Sequence, residues 1–157
     1  MFDFFKKEHF LAAVADGGVI SISGVPDQVF SQKILGDGFA VIPENGDFCS
    51  PASGTVTDVT ETLHAYCITS DDGLEILVHI GIDTVELKGK GFTPLVKAGD
   101  RIERGCALAH ADLKQISAAG YNTTTVVVIT NTEKMKSFSV LENPSVKAGD
   151  KALTYKI

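Results

Sequence analysis

The sequence predicts an all-β fold, a sandwich or barrel with short helical turns, on three observations. Short runs of alternating or β-branched residues recur along its length, Gly- and Pro-rich turns punctuate them closely, and only one segment, Asp112 to Ala119, is a good helix candidate. The 157 residues fit one domain with a substantial core, read as a short N-terminal arm (1–9) followed by a single domain (10–157). Hydrophobic residues make up 44% and charged residues 22%, ordinary values for a globular protein. Lys+Arg is 14 against Asp+Glu 20, a net charge of −6, which argues against a nucleic-acid partner and favours docking to a basic protein surface. No apolar run reaches bilayer length and no signal-peptide pattern opens the chain. Cys49, Cys67 and Cys106 are isolated, as expected of reduced, mostly core thiols in a cytoplasmic protein. The initial Met favours a free-standing protein.

The elements follow in order. The first ten residues are aromatic and basic and too short for a stable helix; against a dip into a membrane surface, they read as a frayed terminus. Phe10 to Val14 and Val19 to Ser23 are strands separated by Asp16-Gly17-Gly18. Val25 to Ser31 is a turn entering one short helical turn, and Gly36-Asp37-Gly38 bends into a strand over Phe39 to Pro43. Ser50 to Gly54 turns into the alternating Thr55 to Thr60. Pro94-Leu95-Val96-Lys97-Ala98-Gly99-Asp100 has a near copy at Pro144-Ser145-Val146-Lys147-Ala148-Gly149-Asp150, one device used twice, a turn feeding a strand. Asp112 is the expected N-cap of the helix and Gly120 its stop, and Thr123 to Thr130 reads as a buried strand.

Between them lies the stretch that carries chemistry. Leu74, Ile76, Val78 and Ile80 alternate with Glu75, Leu77 and His79, and His64 to Thr69 precedes them across Ser70-Asp71-Asp72-Gly73, so the two form a hairpin. A two- or four-residue loop places His64 directly opposite His79; a turn at Asp72-Gly73 makes them diagonal neighbours on one face. Only an odd-length loop or a bulge would separate them. Alternation turns Cys67 away from the histidines. Two imidazoles on one face can serve as nucleophile and hydrogen-bond donor, as metal ligands, or as packing. A zinc enzyme usually supplies three protein ligands, and neither HExxH nor an HxH pair occurs, although Asp83 or Glu86 could complete a set. No P-loop or GxGxxG is present, so a phosphoryl group handled here would arrive on a partner. Neutral imidazole, with a pKa of roughly 6.5, suits that chemistry when one nitrogen is held as N–H and the other presents its lone pair.

The stretch Glu75-Ile76-Leu77-Val78-His79-Ile80-Gly81-Ile82-Asp83-Thr84-Val85-Glu86-Leu87-Lys88-Gly89-Lys90-Gly91-Phe92 resembles the glucose-type enzyme IIA family of the bacterial phosphoenolpyruvate-dependent sugar phosphotransferase system. Val25-Pro26-Asp27, Gly36-Asp37-Gly38, Glu61-Thr62-Leu63-His64-Ala65 and Gly120-Tyr121-Asn122-Thr123-Thr124-Thr125 extend the likeness over nearly the whole chain from Phe10.

The resemblance implies an antiparallel β-sandwich or barrel and a cytoplasmic phosphocarrier without a cofactor or metal. His79 would accept phosphate on Nε2 from the histidine-containing phosphocarrier protein and pass it to a cysteine of a glucose-type enzyme IIB. His64 would hydrogen-bond the phosphate, Thr62 would orient His64, and the Gly81 carbonyl would hold Nδ1–H of His79. Asp37 and Asp83 would repel a phosphate, so the family reading gives them a partner arginine to bind. Phe39, Ile42, Val85 and Phe92 are candidates for an apolar ring that excludes water, against the plain reading that they are core. His9 and His110 are expected to be uninvolved. A membrane is reached only through the permease partner. Two other readings stand beside this one: a regulatory module docking transporters or kinases when unphosphorylated, and a zinc-dependent hydrolase.

Overall fold

The computed structural model describes residues 9–157; the expected arm, His9 apart, lies outside the described residues. Fourteen strands follow one another: β1 (Phe10–Ala12), β2 (Gly17–Ser21), β3 (Asp37–Pro43), β4 (Asp47–Cys49), β5 (Gly54–Val59), β6 (Ala65–Ser70), β7 (Glu75–His79), β8 (Phe92–Pro94), β9 (Arg101–Ile102), β10 (Ala107–Ala111), β11 (Thr125–Ile129), β12 (Ser137–Val140), β13 (Asn143–Val146) and β14 (Lys151–Lys156). Two short α-helices, α1 (Gln28–Ser31) and α2 (Leu113–Ala118), and 3-10 turns at Ile22–Gly24, Thr84–Leu87 and Thr132–Lys134 interrupt them.

Among the described residues every strand pairing is antiparallel. The largest sheet has eight strands in the order β13-β2-β3-β11-β7-β6-β5-β9, and two three-stranded sheets, β1-β14-β12 and β4-β10-β8, share its core. Period-two alternation divides the large sheet into two faces. Val78, Val127 and Phe39 lie in one row across β7, β11 and β3 and point into the main core, with Leu11, Phe48, Leu108 and Leu153 from the smaller sheets. The next row, His79, Val126 and Ala40, points to the other face. There Ile22, Val25 and Phe30, from the 3-10 turn and α1, close a second cluster over Ala40, Val126 and Val128. This double coverage explains why all five residues of β11 are buried and why its sequence is a continuous β-branched run.

The helix expectation holds: Asp112 accepts from Gln115 N–H at 3.0 Å as N-cap, and the chain leaves at Gly120 with φ +94°. The repeated segment is the same turn twice. Asp100 and Asp150 each donate their N–H to the carbonyl of the residue three back, Lys97 and Lys147, at 3.1 and 3.0 Å, and each carboxylate accepts from that lysine's N–H. Gly99 and Gly149 supply the positive φ, +97° and +95°, that the turn requires.

The hairpin register differs from expectation. Ser70 N–H donates to Leu74 O at 2.8 Å and Gly73 has φ +94°, so Asp71-Asp72-Gly73 is a three-residue loop. Ala65, and not His64, therefore pairs with His79, and Cys67 pairs with Leu77. Cys67 thus shares the face of His79, a correction of the expectation that it turns away. Of the three thiols Cys49 is buried, Cys67 half-buried and Cys106 exposed, so the expectation of core thiols fails for Cys106.

Candidate functional site

By strict alternation His64 would follow Tyr66 and Ile68 into the main core. Instead its ring centroid lies 4.7 Å from that of His79, with the planes at 84°. His64 falls just before β6, and Leu63 ahead of it has φ +60°, so the chain leaves the pleat there and strand alternation no longer governs the side chain. Ile80 N–H still donates to His64 O at 2.7 Å, which ties that backbone to the end of β7.

Each ring is anchored through Nδ1. His79 Nδ1 lies 2.7 Å from the Gly81 carbonyl oxygen. A carbonyl only accepts, so Nδ1 carries the hydrogen and Nε2 keeps the lone pair. His64 Nδ1 lies 2.8 Å from Thr62 Oγ1, with Thr60 Oγ1 at 3.4 Å. Burial first, and then the neighbouring His79, push the His64 pKa down to about 4. Burial also lowers the pKa of His79, outweighing the opposite effects of the Gly81 carbonyl and the carboxylates of Asp27 and Asp83. Both shifts favour the neutral imidazoles at pH 7.

Gly81 is required by geometry. Its φ is +78°, and a Cβ there would fall on Thr84 Cγ2 and stand 3.1 Å from Asn122 O. Asp83, also left-handed at φ +59°, precedes the 3-10 turn that presents Val85, 46% exposed.

The other expected residues divide. Asp83 is exposed and acts on His79. Asp37 does not join it: its carboxylate accepts from Gly38 N–H at 2.8 Å and pairs with Lys33 Nζ at 3.2 Å. The second carboxylate acting on His79 belongs to Asp27, the N-cap of α1. Phe39 is fully buried and Phe92 7% exposed, both in the main core, so neither offers a docking surface. Phe39 is core because its row in the sheet is the inward one. Ile42, three positions on, faces outward and is 51% exposed.

Sequence reasoning missed the contribution of α1. Phe30 stands edge-on to His79, ring centroids 5.0 Å apart, and Val29, Ile34 and Leu35 beside it are exposed. The signal was Asp27 two residues ahead of Val29, an N-cap placing an apolar helical turn. His110 Nδ1 pairs with Asp47 at 2.9 Å on the surface, and His9 Nδ1 with Asp72 at 3.1 Å.

A cleft of about 610 Å³ lies away from the histidines, at the far end of the hairpin. Its polar groups satisfy one another: Asp72 accepts from Ser70, His9 and Tyr155, and Arg101 binds Asp71 and Glu103. That cluster ties the hairpin loop to β14 and leaves the chemistry with the histidine pair. Among the described residues no three or more His, Cys, Asp or Glu converge to hold a metal, so the zinc-hydrolase reading finds two ligands where a catalytic zinc needs three.

The family profile described as phosphoenolpyruvate-dependent sugar phosphotransferase system, EIIA 1, matches residues 9–135. The chain belongs to this family. Its EIIA relatives include the glucose-specific EIIA component of Halalkalibacterium halodurans, 39% identical over 147 residues, which cover 94% of this chain and 85% of that one. The glucose-specific EIICBA component of Streptococcus pneumoniae is 50% identical over 136 residues, 87% of this chain and 19% of that protein. The chain thus spans about a fifth of that relative's length. The glucose permease IIA of Mycoplasma capricolum superposes with a TM-score of 0.85 at 34% identity, covering 98% of this chain and 99% of the other. The antiparallel β architecture is that of EIIA, and the chain is a phosphotransferase-system component. Among the described residues no helix is long and apolar enough to cross a membrane.

Proposed function

We propose that this EIIA carries phosphate on His79 Nε2 between the histidine-containing phosphocarrier protein and a cysteine of a glucose-type enzyme IIB, in the cytoplasm. The observation that carries the reading is the bond from His79 Nδ1 to Gly81 O, which leaves Nε2 as the nucleophilic lone pair of a neutral ring. That lone pair attacks the phosphorus of the donor phosphohistidine; a new N–P bond forms and the donor's N–P bond breaks, its electron pair returning to the donor imidazole. In the second step the partner thiolate attacks the same phosphorus, forming S–P and releasing His79 Nε2.

His64 serves as donor to the phosphoryl oxygens. With the Thr62 hydroxyl donating to its Nδ1, Nε2 carries the hydrogen and can bind a developing negative charge without itself being charged. Asp27 and Asp83 bind an arginine of the partner, which offsets their repulsion of the phosphate. Val29, Ile34, Leu35, Ile42 and Val85 are exposed apolar residues suited to exclude water around the transfer. The same surface suits a second role, docking transporters or kinases until phosphate on His79 breaks the contact by repulsion and desolvation.

The test is intact mass after incubation with phosphoenolpyruvate, enzyme I and the phosphocarrier protein. Wild type should gain one acid-labile phosphate and His79→Ala none, while His64→Gln should accept phosphate but transfer it onward poorly. No phosphate on wild type, with the donors shown active, would sink the proposal.

A further inference from the structure

We infer that Thr84 is a positioning residue for phosphoryl acceptance, holding in place the Gly81 carbonyl that keeps His79 in its Nδ1–H tautomer. The inference rests on the phosphocarrier reading above and assigns a role to a side chain that touches neither phosphate nor imidazole.

A carbonyl can select a tautomer only if its direction is fixed, and glycine is the residue least able to fix its own. At Gly81 the neighbours do so from both sides. Upstream, Thr84 is fully buried and its hydroxyl donates to the Ile80 carbonyl at 2.5 Å, which fixes the peptide entering Gly81. Downstream, Ile82 N–H donates to the Asn122 carbonyl at 2.9 Å, which fixes the peptide whose oxygen binds His79. Thr84 Cγ2 fills the space that a Gly81 side chain would occupy, so the turn cannot slide toward it.

The bracket also accounts for a threonine in a buried position. An apolar residue would pack in the same space but would remove the partner of the Ile80 carbonyl inside the protein. The peptide entering Gly81 would then lose its anchor, leaving the Gly81 carbonyl held against His79 Nδ1 from one side only, by the Ile82 N–H bond to Asn122. The ring would lose its preference for Nδ1–H, and the Nε2–H tautomer, which has no lone pair to offer at Nε2, would gain population.

The test compares Thr84→Val, which keeps the shape and removes the hydroxyl, with Thr84→Ser, which keeps the hydroxyl and removes the methyl. Two quantities are read on each: the His79 tautomer from ring nitrogen NMR shifts of unphosphorylated protein, and the rate of phosphate uptake from the phosphorylated phosphocarrier protein. Wild type is expected to show Nδ1–H, T84V a mixture of tautomers with uptake slowed about tenfold, and T84S a return to within about twofold of wild type, in the range typical of groups that orient a functional imidazole. Should T84V not fold, Thr84→Ala, which adds no bulk, is read in its place. A single Nδ1–H tautomer and full uptake in T84V would overturn the inference, as would T84S matching T84V in tautomer. The tautomer is read without any donor. Wild type that takes no phosphate therefore counts against the phosphocarrier reading, whereas an unresponsive tautomer counts against Thr84 alone.

Discussion

His64 meets His79 edge-on at 4.7 Å, and each ring is held by Nδ1, one by a hydroxyl and the other by a carbonyl. The difference matters. A hydroxyl can donate or accept, so His64 is oriented without its tautomer being dictated, whereas the carbonyl fixes His79 as Nδ1–H. Two adjacent imidazoles thereby take different roles, one presenting a lone pair and the other able to present a hydrogen.

Gly81→Ala should damage stability and activity together. The new methyl meets Thr84 Cγ2 at a residue whose φ is +78°, so left-handed strain and overpacking add to a loss of roughly 2–5 kcal/mol. Any relaxation that relieves the clash moves the carbonyl from His79. Urea unfolding and phosphate uptake on the folded fraction measure the two effects, and a variant with wild-type values in both would refute the assignment of Gly81.

Acid should weaken the fold through His64. Its pKa is about 4 in the native state and 6.5 as an ordinary histidine. Below the unfolded value the unfolded chain binds a proton that the native state refuses, so this contribution to stability falls as pH drops from about 6.5 toward about 4 and is constant above. The lowered pKa of His79 acts in the same direction. The His64 part is at most about 3 kcal/mol. His64→Gln should flatten the dependence between pH 7 and 5 measured by denaturant midpoints; an unchanged slope would place the acid sensitivity elsewhere.

Much of this arrangement is legible in the sequence, and the failures have identifiable causes. Alternation in Glu75–His79 correctly puts Ile76 and Val78 inward. It misleads at His64, because a left-handed Leu63 ends the pleat, and at Cys67, because Ser70-Asp71-Asp72-Gly73 does not announce an odd-length loop. Phe39 to Ile42 is apolar on both faces, so only pairing with β11 decides that Phe39 is core and Ile42 is surface. β4 is three residues long and β10 reads Ala-Leu-Ala-His-Ala, with little β propensity, so neither stands out. Asp27 and Phe30 reach the site across space from a helix one turn long, which no local pattern connects to His79. Thr62 and Gly81, by contrast, lie two residues from the rings they hold.

The split between Phe39 and Ile42 predicts opposite phenotypes. Phe39→Ala empties a fully buried site and should destabilise by about 3–5 kcal/mol. Ile42→Ser, half-exposed, should change stability by less than about 0.5 kcal/mol yet slow phosphate exchange with partner proteins. Thermal melts and exchange rates at limiting partner concentration separate the two; unaltered exchange in Ile42→Ser would remove it from the docking surface.

The repeated Lys-Ala-Gly-Asp turns supply a control for Gly81. Gly99 and Gly149 have nearly equal φ, +97° and +95°, and a Cβ at either would meet nothing within 4 Å. Alanine at either position therefore adds left-handed strain without overpacking, about 1–2 kcal/mol each. Because both turns are closed by the same aspartate bond to a lysine N–H, the two losses should be equal within error and, being distant from the histidines, should leave phosphate uptake intact. Urea midpoints of Gly99→Ala and Gly149→Ala test this. A loss in either as large as that of Gly81→Ala would mean that backbone strain, and not the contact with Thr84, dominates at Gly81.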